Sequence, residues 1–309
     1  LPADHVLGVG GASRTLAETV VPLAVDRALD LGTGCGIQAL LVARRAGRVV
    51  ATDVSRRALA YAALNAQLNG VTNIEFRHGS MFEPVAGEAF DLIVSNPPFV
   101  ITPRAEGVPL YEYRDGGAAG DDVVAALTKG VGAHLAPGGI AQLLGNWETT
   151  EGQDWRERVG EWVAESGLDA WVVQRDVQDP AEYAELWSRD GGHLPGTPEH
   201  DALVGAWLDD FAARGVTQIG FGVITLHRPT TDREPFVDLV EITGPVASPM
   251  GPTIAAGIAT RDHLAGLDDD AVLEIAWRCA PDVTTETHAE PGATDPTVIL
   301  LRQGGGLRR

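Results

Sequence analysis

The stretch Asp30-Leu31-Gly32-Thr33-Gly34-Cys35-Gly36 decides how this chain is read. It follows the apolar run RALDL at 27–31 and precedes a helical pattern from about 36 to 46, so a strand here hands over to a helix. Glycines at such a junction let the backbone turn sharply and let a ligand approach closely, while the helix start offers free N–H groups. A dinucleotide fingerprint G-x-G-x-x-G starting at Gly32 would need glycine at 37, where Ile37 stands. What is present is G-x-G-x-G behind an acid.

Outward from this junction, short apolar runs alternate with helical patterns, the mark of stacked βαβ units. Strands are expected at 48–53 (RVVATD), 73–77 (NIEFR) and 89–95 (AFDLIVS), with a helix at 55–69 opened by Ser55 and closed by Gly70. A long loop from Pro97 to about Gly120 leads to a helix at 121–134 begun by Asp121 and Asp122, then the turn PGG and a strand at 139–145. Beyond Trp147 come a helix at 152–166, a strand in LDAWVVQRDV, helices at 180–188 and 198–214, and a strand at 217–228. This order predicts a Rossmann-like α/β domain over 1–230. Its seven-stranded, mostly parallel sheet has helices on both faces, ends in an antiparallel pair, and carries a helical insertion at about 178–216. Residues 231–309 read as an acidic α+β appendage, truncated at its end, with strands at 236–243 and 296–302 around a small helical part.

The G-x-G-x-G junction suits a methyl-donor nucleoside better than a dinucleotide, with a purely structural glycine turn left open. Asp53 ends the second strand, 17 residues after Gly36, where a carboxylate can accept both hydrogens of a ribose diol. It could equally serve as a favourable charge at the next helix start. Gly79-Ser80-Met81-Phe82 follows the third strand and either meets an adenine ring or forms an ordinary turn.

The fourth strand runs straight into Asn96-Pro97-Pro98-Phe99. Two prolines fix φ and remove two donors, so the neighbouring carbonyls are held rigidly and left free. The Asn96 side-chain oxygen and the Pro97 carbonyl could then accept both hydrogens of an NH2 group, and Phe99 could offer a flat face for a planar amide or base. An amide or aromatic amine nitrogen is a poor nucleophile, and acceptors that favour its developing positive charge lower the barrier. A proline turn with Asn as a cap is the plainer alternative.

In this order and spacing, DLGTGCG, Asp53, GSMFEP and SNPPF resemble the class I S-adenosylmethionine-dependent methyltransferases with an N-P-P-[YF] motif. Most similar are the HemK/PrmC release-factor glutamine methyltransferases and the "small-domain" methyltransferases that modify ribosomal RNA. The resemblance covers roughly residues 5–147. It implies that Asp30, Gly32, Thr33, Gly34 and Gly36 contact the methionine part of the donor and that Asp53, with Val54 beside it, holds the ribose. Ser80 and Met81 meet the adenine, and Asn96, Pro97, Pro98 and Phe99 position the acceptor, with Asn96 also touching the donor. Ser80 stands where the family commonly has Asp, and Phe99 where HemK-type enzymes usually have Tyr. Tyr113-Arg114-Asp115-Gly116-Gly117, followed by Gly120-Asp121, is similar to the acceptor loop of the HemK group, and Ser13-Arg14-Thr15-Leu16 occupies a donor-side place. Tyr111 and Tyr113 read either as a lid or as surface loop.

Charge narrows the acceptor. Residues 1–150 carry 11 Arg/Lys against 15 Asp/Glu, a net of −4, and residues 151–309 carry 12 against 28, a net of −16. A protein gripping a phosphate backbone needs a basic surface, which this aggregate charge does not supply. Charge thus disfavours RNA, and the similarity of the loop after N-P-P-F to the HemK group implies a protein glutamine amide as the preferred acceptor, over an exocyclic amine of RNA or a small-molecule amine. Rival readings are a binding module that has lost catalysis and a nicotinamide oxidoreductase. S-adenosylmethionine is the expected cofactor, with S-adenosylhomocysteine as product. His193, Glu199 and His200 lack tight ligand spacing, so no metal is expected. No apolar run approaches a membrane span, only Cys35 and Cys279 are present, and the start reads as a trimmed chain and not a leader; a cytoplasmic protein is expected.

Overall fold

The computed structural model describes residues 4–105 and 107–307, so the outer bounds of the two expected domains, 1 and 309, lie outside the described residues. In chain order the elements are α1 (Gly11–Thr19), β1 (Val25–Leu31), α2 (Ile37–Val42), β2 (Ala46–Asp53), α3 (Arg56–Leu68), β3 (Ile74–His78) and β4 (Phe90–Ser95). There follow α4 (Asp122–Gly130), β5 (Leu135–Thr150), α5 (Trp155–Ser166), β6 (Asp169–Gln178), α6 (Pro180–Asp190), α7 (Pro198–Ala213), β7 (Val216–His227) and β8 (Val237–Glu241). The rest is α8 (Gly251–Ala265), α9 (Asp269–Glu274), β9 (Thr284–His288) and β10 (Val298–Arg302). The chain divides into two compact units, Leu1–Ala17 with Ala24–Glu241, and Glu18–Leu23 with Ile242–Arg309.

In the first unit, β1 and β4 are apolar on both faces, with Leu29, Ile93 and Val94 at 0% exposure. Strands of that kind belong in the middle of a parallel sheet covered on both sides. The sheet order is β3-β2-β1-β4-β5-β7-β6-β8, and β1 to β5 are parallel. β7 runs antiparallel between β5 and β6, and β8 lies parallel beside β6. From β1 the chain winds first to one side and then to the other, which makes the β1/β4 junction the switch point where such sheets open a crevice. There Leu31 pairs with Ser95, and the Ser95 hydroxyl donates to the Leu31 carbonyl at 2.7 Å. The glycine junction and the N-P-P segment therefore leave the sheet side by side.

Two expectations need correction. The sheet has eight strands, not seven, because Val237–Glu241, assigned from sequence to the appendage, pairs with Ala170–Gln174 of β6. β5 is also longer than 139–145: Phe90 pairs with Leu135 and Leu92 with Ile140, so the PGG segment is a bulge within the strand and not a turn before it. Between β6 and β7, α6 and α7 build a second core in which Tyr183, Trp207 and Phe211 have 0% exposure. α6 is closed at its start by a capping box of Asp179 and Glu182, with Pro180 in the first turn, where a missing N–H costs nothing.

The second unit holds α8, α9 and the antiparallel hairpin of β9 and β10. Asp268 caps α9 by accepting the Ala271 N–H at 2.8 Å, so the Asp268-Asp269-Asp270 run is a helix start. Among the described residues no helix is long and apolar enough to cross a membrane.

Candidate active site

A cavity of about 260 Å³ opens at the carboxyl ends of the central strands. One part of its wall is the glycine junction. Gly32 and Gly34 adopt φ of 72° and 55°, and nothing lies within 4 Å of where a Cβ would sit on either, so both leave bare backbone facing open space. At Gly36 the opposite holds: a Cβ would come within 2.9 Å of the Ala62 Cβ on α3, so glycine there permits the helix to pack. Asp30 is only 1% exposed, and one carboxylate oxygen accepts from the Thr33 hydroxyl at 2.5 Å and the Ala39 N–H at 2.8 Å. It thus ties the junction to the first turn of α2, whose N–H groups lack partners of their own. Asp53 accepts the Gly34 N–H at 2.9 Å on one oxygen and the Ser55 N–H at 2.8 Å on the other. Thr33, Val54, Ser80 and Met81 also line the cavity, and Met81 stands at a left-handed φ of 50°.

Another part of the wall is Asn96, Pro97 and Pro98. The Asn96 Oδ1 is buried and accepts no hydrogen bond from any described residue. Opposite, residues 114–117 fold back on the segment: Phe99 and Asp115 form an antiparallel bridge, and the Val100 N–H donates to the Arg114 carbonyl at 2.8 Å. Arg104 holds Asp115 from two nitrogens at 2.9 and 2.7 Å. A Cβ on Gly116 would lie 2.3 Å from Val123 and 3.1 Å from the Pro98 carbonyl, which is why this loop passes so close.

Phe99 departs from expectation. It does not line the cavity; its ring packs edge-on to Trp187 of α6, with centroids 6.4 Å apart, between the two cores of the unit. Among the described residues Tyr113 does line the cavity, and its hydroxyl donates to Asp190 at 2.7 Å. Tyr111 is buried and stays outside the cavity lining. Sequence reasoning also missed His5 to Gly8 and Gln38, which line the cavity; Ser13, singled out from sequence, joins them, and Gln38 Nε2 donates to the Ser13 carbonyl at 2.7 Å. His200 sits 3.3 Å from both Glu185 and Asp201, on the insertion and away from the cavity.

Residues 8–160 match the family model for the methyltransferase small domain. They are a class I methyltransferase domain. The domain is 38% identical over 151 residues to a release factor glutamine methyltransferase of Xylella fastidiosa, covering 44% of this chain and 55% of that protein. It is 36% identical over 146 residues to a ribosomal protein uL3 glutamine methyltransferase of Bradyrhizobium diazoefficiens, covering 44% of this chain and 45% of the other. The chain spans about half the length of the curated relatives it matches. Among solved structures, the YcgJ protein of Bacillus subtilis aligns with a TM-score of 0.46 and 17% identity, over 70% of this chain and 98% of that one.

Burial shapes the charge of the methyltransferase cleft. It pushes the Asp30 carboxyl from its ordinary 3.8 up to about 6, against the opposing pull of the Thr33 and Ala39 hydrogen bonds. It raises Asp53 as well, against the backbone N–H groups of Ser55 and Gly34. An acid whose pKa is higher folded than unfolded binds more protons when folded, so its contribution to stability falls as pH rises between the two values. Thermal melts of wild type and Asp30→Asn should therefore diverge in favour of the variant as pH climbs from about 4 to about 6, a window set by those two values. A constant difference across that window would show that Asp30 does not titrate there.

Proposed function

We propose that this chain transfers a methyl group from S-adenosylmethionine to the side-chain amide nitrogen of a protein glutamine. One observation carries the reading: a buried, unpartnered amide oxygen on Asn96, beside two prolines, at the wall of a cleft whose other side is bare glycine backbone. An unpaired buried acceptor is costly unless a ligand completes it. Bare backbone at Gly32 and Gly34 leaves room that a side chain would fill, so the residues present fit a nucleoside donor.

When bound, S-adenosylmethionine supplies an electrophilic methyl on a sulfonium centre. Asp30, through the loop it anchors, with Gly32, Thr33, Gly34 and Gly36, would form the donor cradle. Asp53 and Val54 would hold the ribose, and Ser80 and Met81 would face the adenine. Carboxylates at this wall also suit a cationic donor. Asn96 Oδ1 and the Pro97 carbonyl would accept the two amide hydrogens, holding the nitrogen still and favouring the positive charge it gains. The proton can leave after transfer, so no strong base is required. Pro98 keeps the turn rigid. Every cavity-lining residue belongs to the first unit, and to it we assign the transfer.

The names of the relatives, glutamine methyltransferases of release factors and of uL3, support the glutamine acceptor and with it a cytoplasmic setting. Phe99, expected to offer a flat face to an amide or a base, packs against Trp187 instead, so it favours neither acceptor. Incubating the chain with methyl-labelled donor and fractionated lysate tests the reading. Label should enter protein, and peptide mass spectrometry should find one added methyl on a glutamine; label in RNA alone would overturn the assignment.

A further inference from the structure

None of the described residues of α6 and α7 lines the cleft, yet side chains of both helices close on the segment that leaves Pro98. Three residues on, the Ile101 N–H donates to the Tyr183 hydroxyl of α6 at 2.8 Å. The Ile101 carbonyl accepts from Trp207 Nε1 of α7 at 2.7 Å. Both backbone polar groups of Ile101 are thus met by insertion side chains, in a core where Ile101 is 1% exposed and Tyr183 and Trp207 are 0% exposed. The same Tyr183 hydroxyl accepts from Asn146 Nδ2 of β5 at 2.8 Å, which ties the grip to the central sheet. A second grip holds the opposing loop: Asp190 of α6 accepts from the Tyr113 hydroxyl at 2.7 Å and from Arg114 Nη1 at 2.9 Å.

We infer that the α6–α7 insertion is the template that sets the acceptor wall, with Tyr183 and Trp207 as positioning residues for the N-P-P segment. The inference rests on the glutamine-transfer reading above. A loop backbone cannot hold its own register when buried without partners, and here the partners come from outside the loop. With Val100 fixed to Arg114 and Ile101 fixed to the insertion, little freedom remains between Ile101 and Asn96. Displacement of a reacting group by about 1 Å costs about 100-fold in rate, so the loss of one such bond should appear in turnover.

Tyr183→Phe keeps the ring and removes the hydroxyl. In the full chain, methyl transfer to the accepting protein fraction at saturating donor should fall about tenfold or more. Affinity for S-adenosylhomocysteine should stay within a few-fold, and hydrogen exchange at the Ile101 amide should speed up. Leu203→Ala, which trims the same core and removes no hydrogen bond to Ile101, should lower the melting temperature and leave the transfer rate near wild type. Should Tyr183→Phe fail to fold, Trp207→Phe removes the other bond and is read in the same way. Unchanged transfer and unchanged exchange in a folded variant would overturn the inference, as would a rate loss matched equally by Leu203→Ala. If the wild-type chain methylates no protein, the glutamine reading fails, and exchange at Ile101 still decides whether the insertion holds the segment.

Discussion

Asn96→Ala is expected to lower methyl transfer by about 100- to 1000-fold while S-adenosylhomocysteine binding stays within a few-fold. Removing one pre-aimed group that stabilises transition-state charge costs about that much elsewhere. The case rests on the Asn96 Oδ1, which is buried, belongs to a residue lining the cleft and has no hydrogen-bond partner among the described residues. Its loss leaves no donor stranded in the protein, so folding should suffer little. Asn96→Asp keeps an acceptor oxygen at the same place and should lose less than the alanine variant. Single-turnover transfer at saturating donor reads both. Undiminished transfer by Asn96→Ala would remove the assigned role.

Asp53→Ala should do the reverse. Donor affinity should weaken by about 100-fold, from the loss of hydrogen bonds to a charged group at about 1.5–3 kcal/mol each. Transfer at saturating donor should remain within about tenfold of wild type, because Asp53 ends β2, two strands from the β4 end that carries Asn96, and in the reading above it holds the donor and not the acceptor. Part of the affinity loss is indirect: the carboxylate also accepts the Gly34 and Ser55 N–H groups, so the glycine junction relaxes without it. Calorimetry with S-adenosylhomocysteine measures the change, and NAD is the control. Tight NAD binding by the wild type, with no binding of the homocysteine analogue, would return the site to the oxidoreductase class.

What the sequence disclosed and what it withheld follow from the range of the interactions. Ser55 as a cap, Gly70 in the left-handed region at 66° and the glycine junction at 32–36 are local matters of dihedral and side-chain oxygen, and each stands where the pattern put it. The nearness of Gly32 and Asn96 was implied by the family resemblance, and the pairing of β1 with β4 agrees with it. Phe99 was misread because the direction of its ring is decided by Trp187, 88 residues further on, and by a core that exists only once α6 and α7 have packed. Asp121 was expected to open a helix, but it makes no cap bond; its carboxylate instead takes the Glu148 N–H and two nitrogens of Arg158. A cap and a buried ion pair ask for the same residue type, and only the fold distinguishes them. Tyr113 was singled out by its loop but left between a lid and a surface position, because its hydrogen-bond partner Asp190 lies 77 residues away on α6.

The eighth strand has a practical bearing on how this protein can be handled. Without Val237–Glu241, the outer side of β6 would present unpaired N–H and C=O groups along Ala170–Gln174, on a strand that carries Trp171, Val172 and Val173. Bare, apolar strand borders of that kind join to one another between molecules. A shortened protein cut at 230, where composition alone suggests the boundary, should therefore self-associate and be recovered largely insoluble, whereas one cut after 241 keeps its border covered.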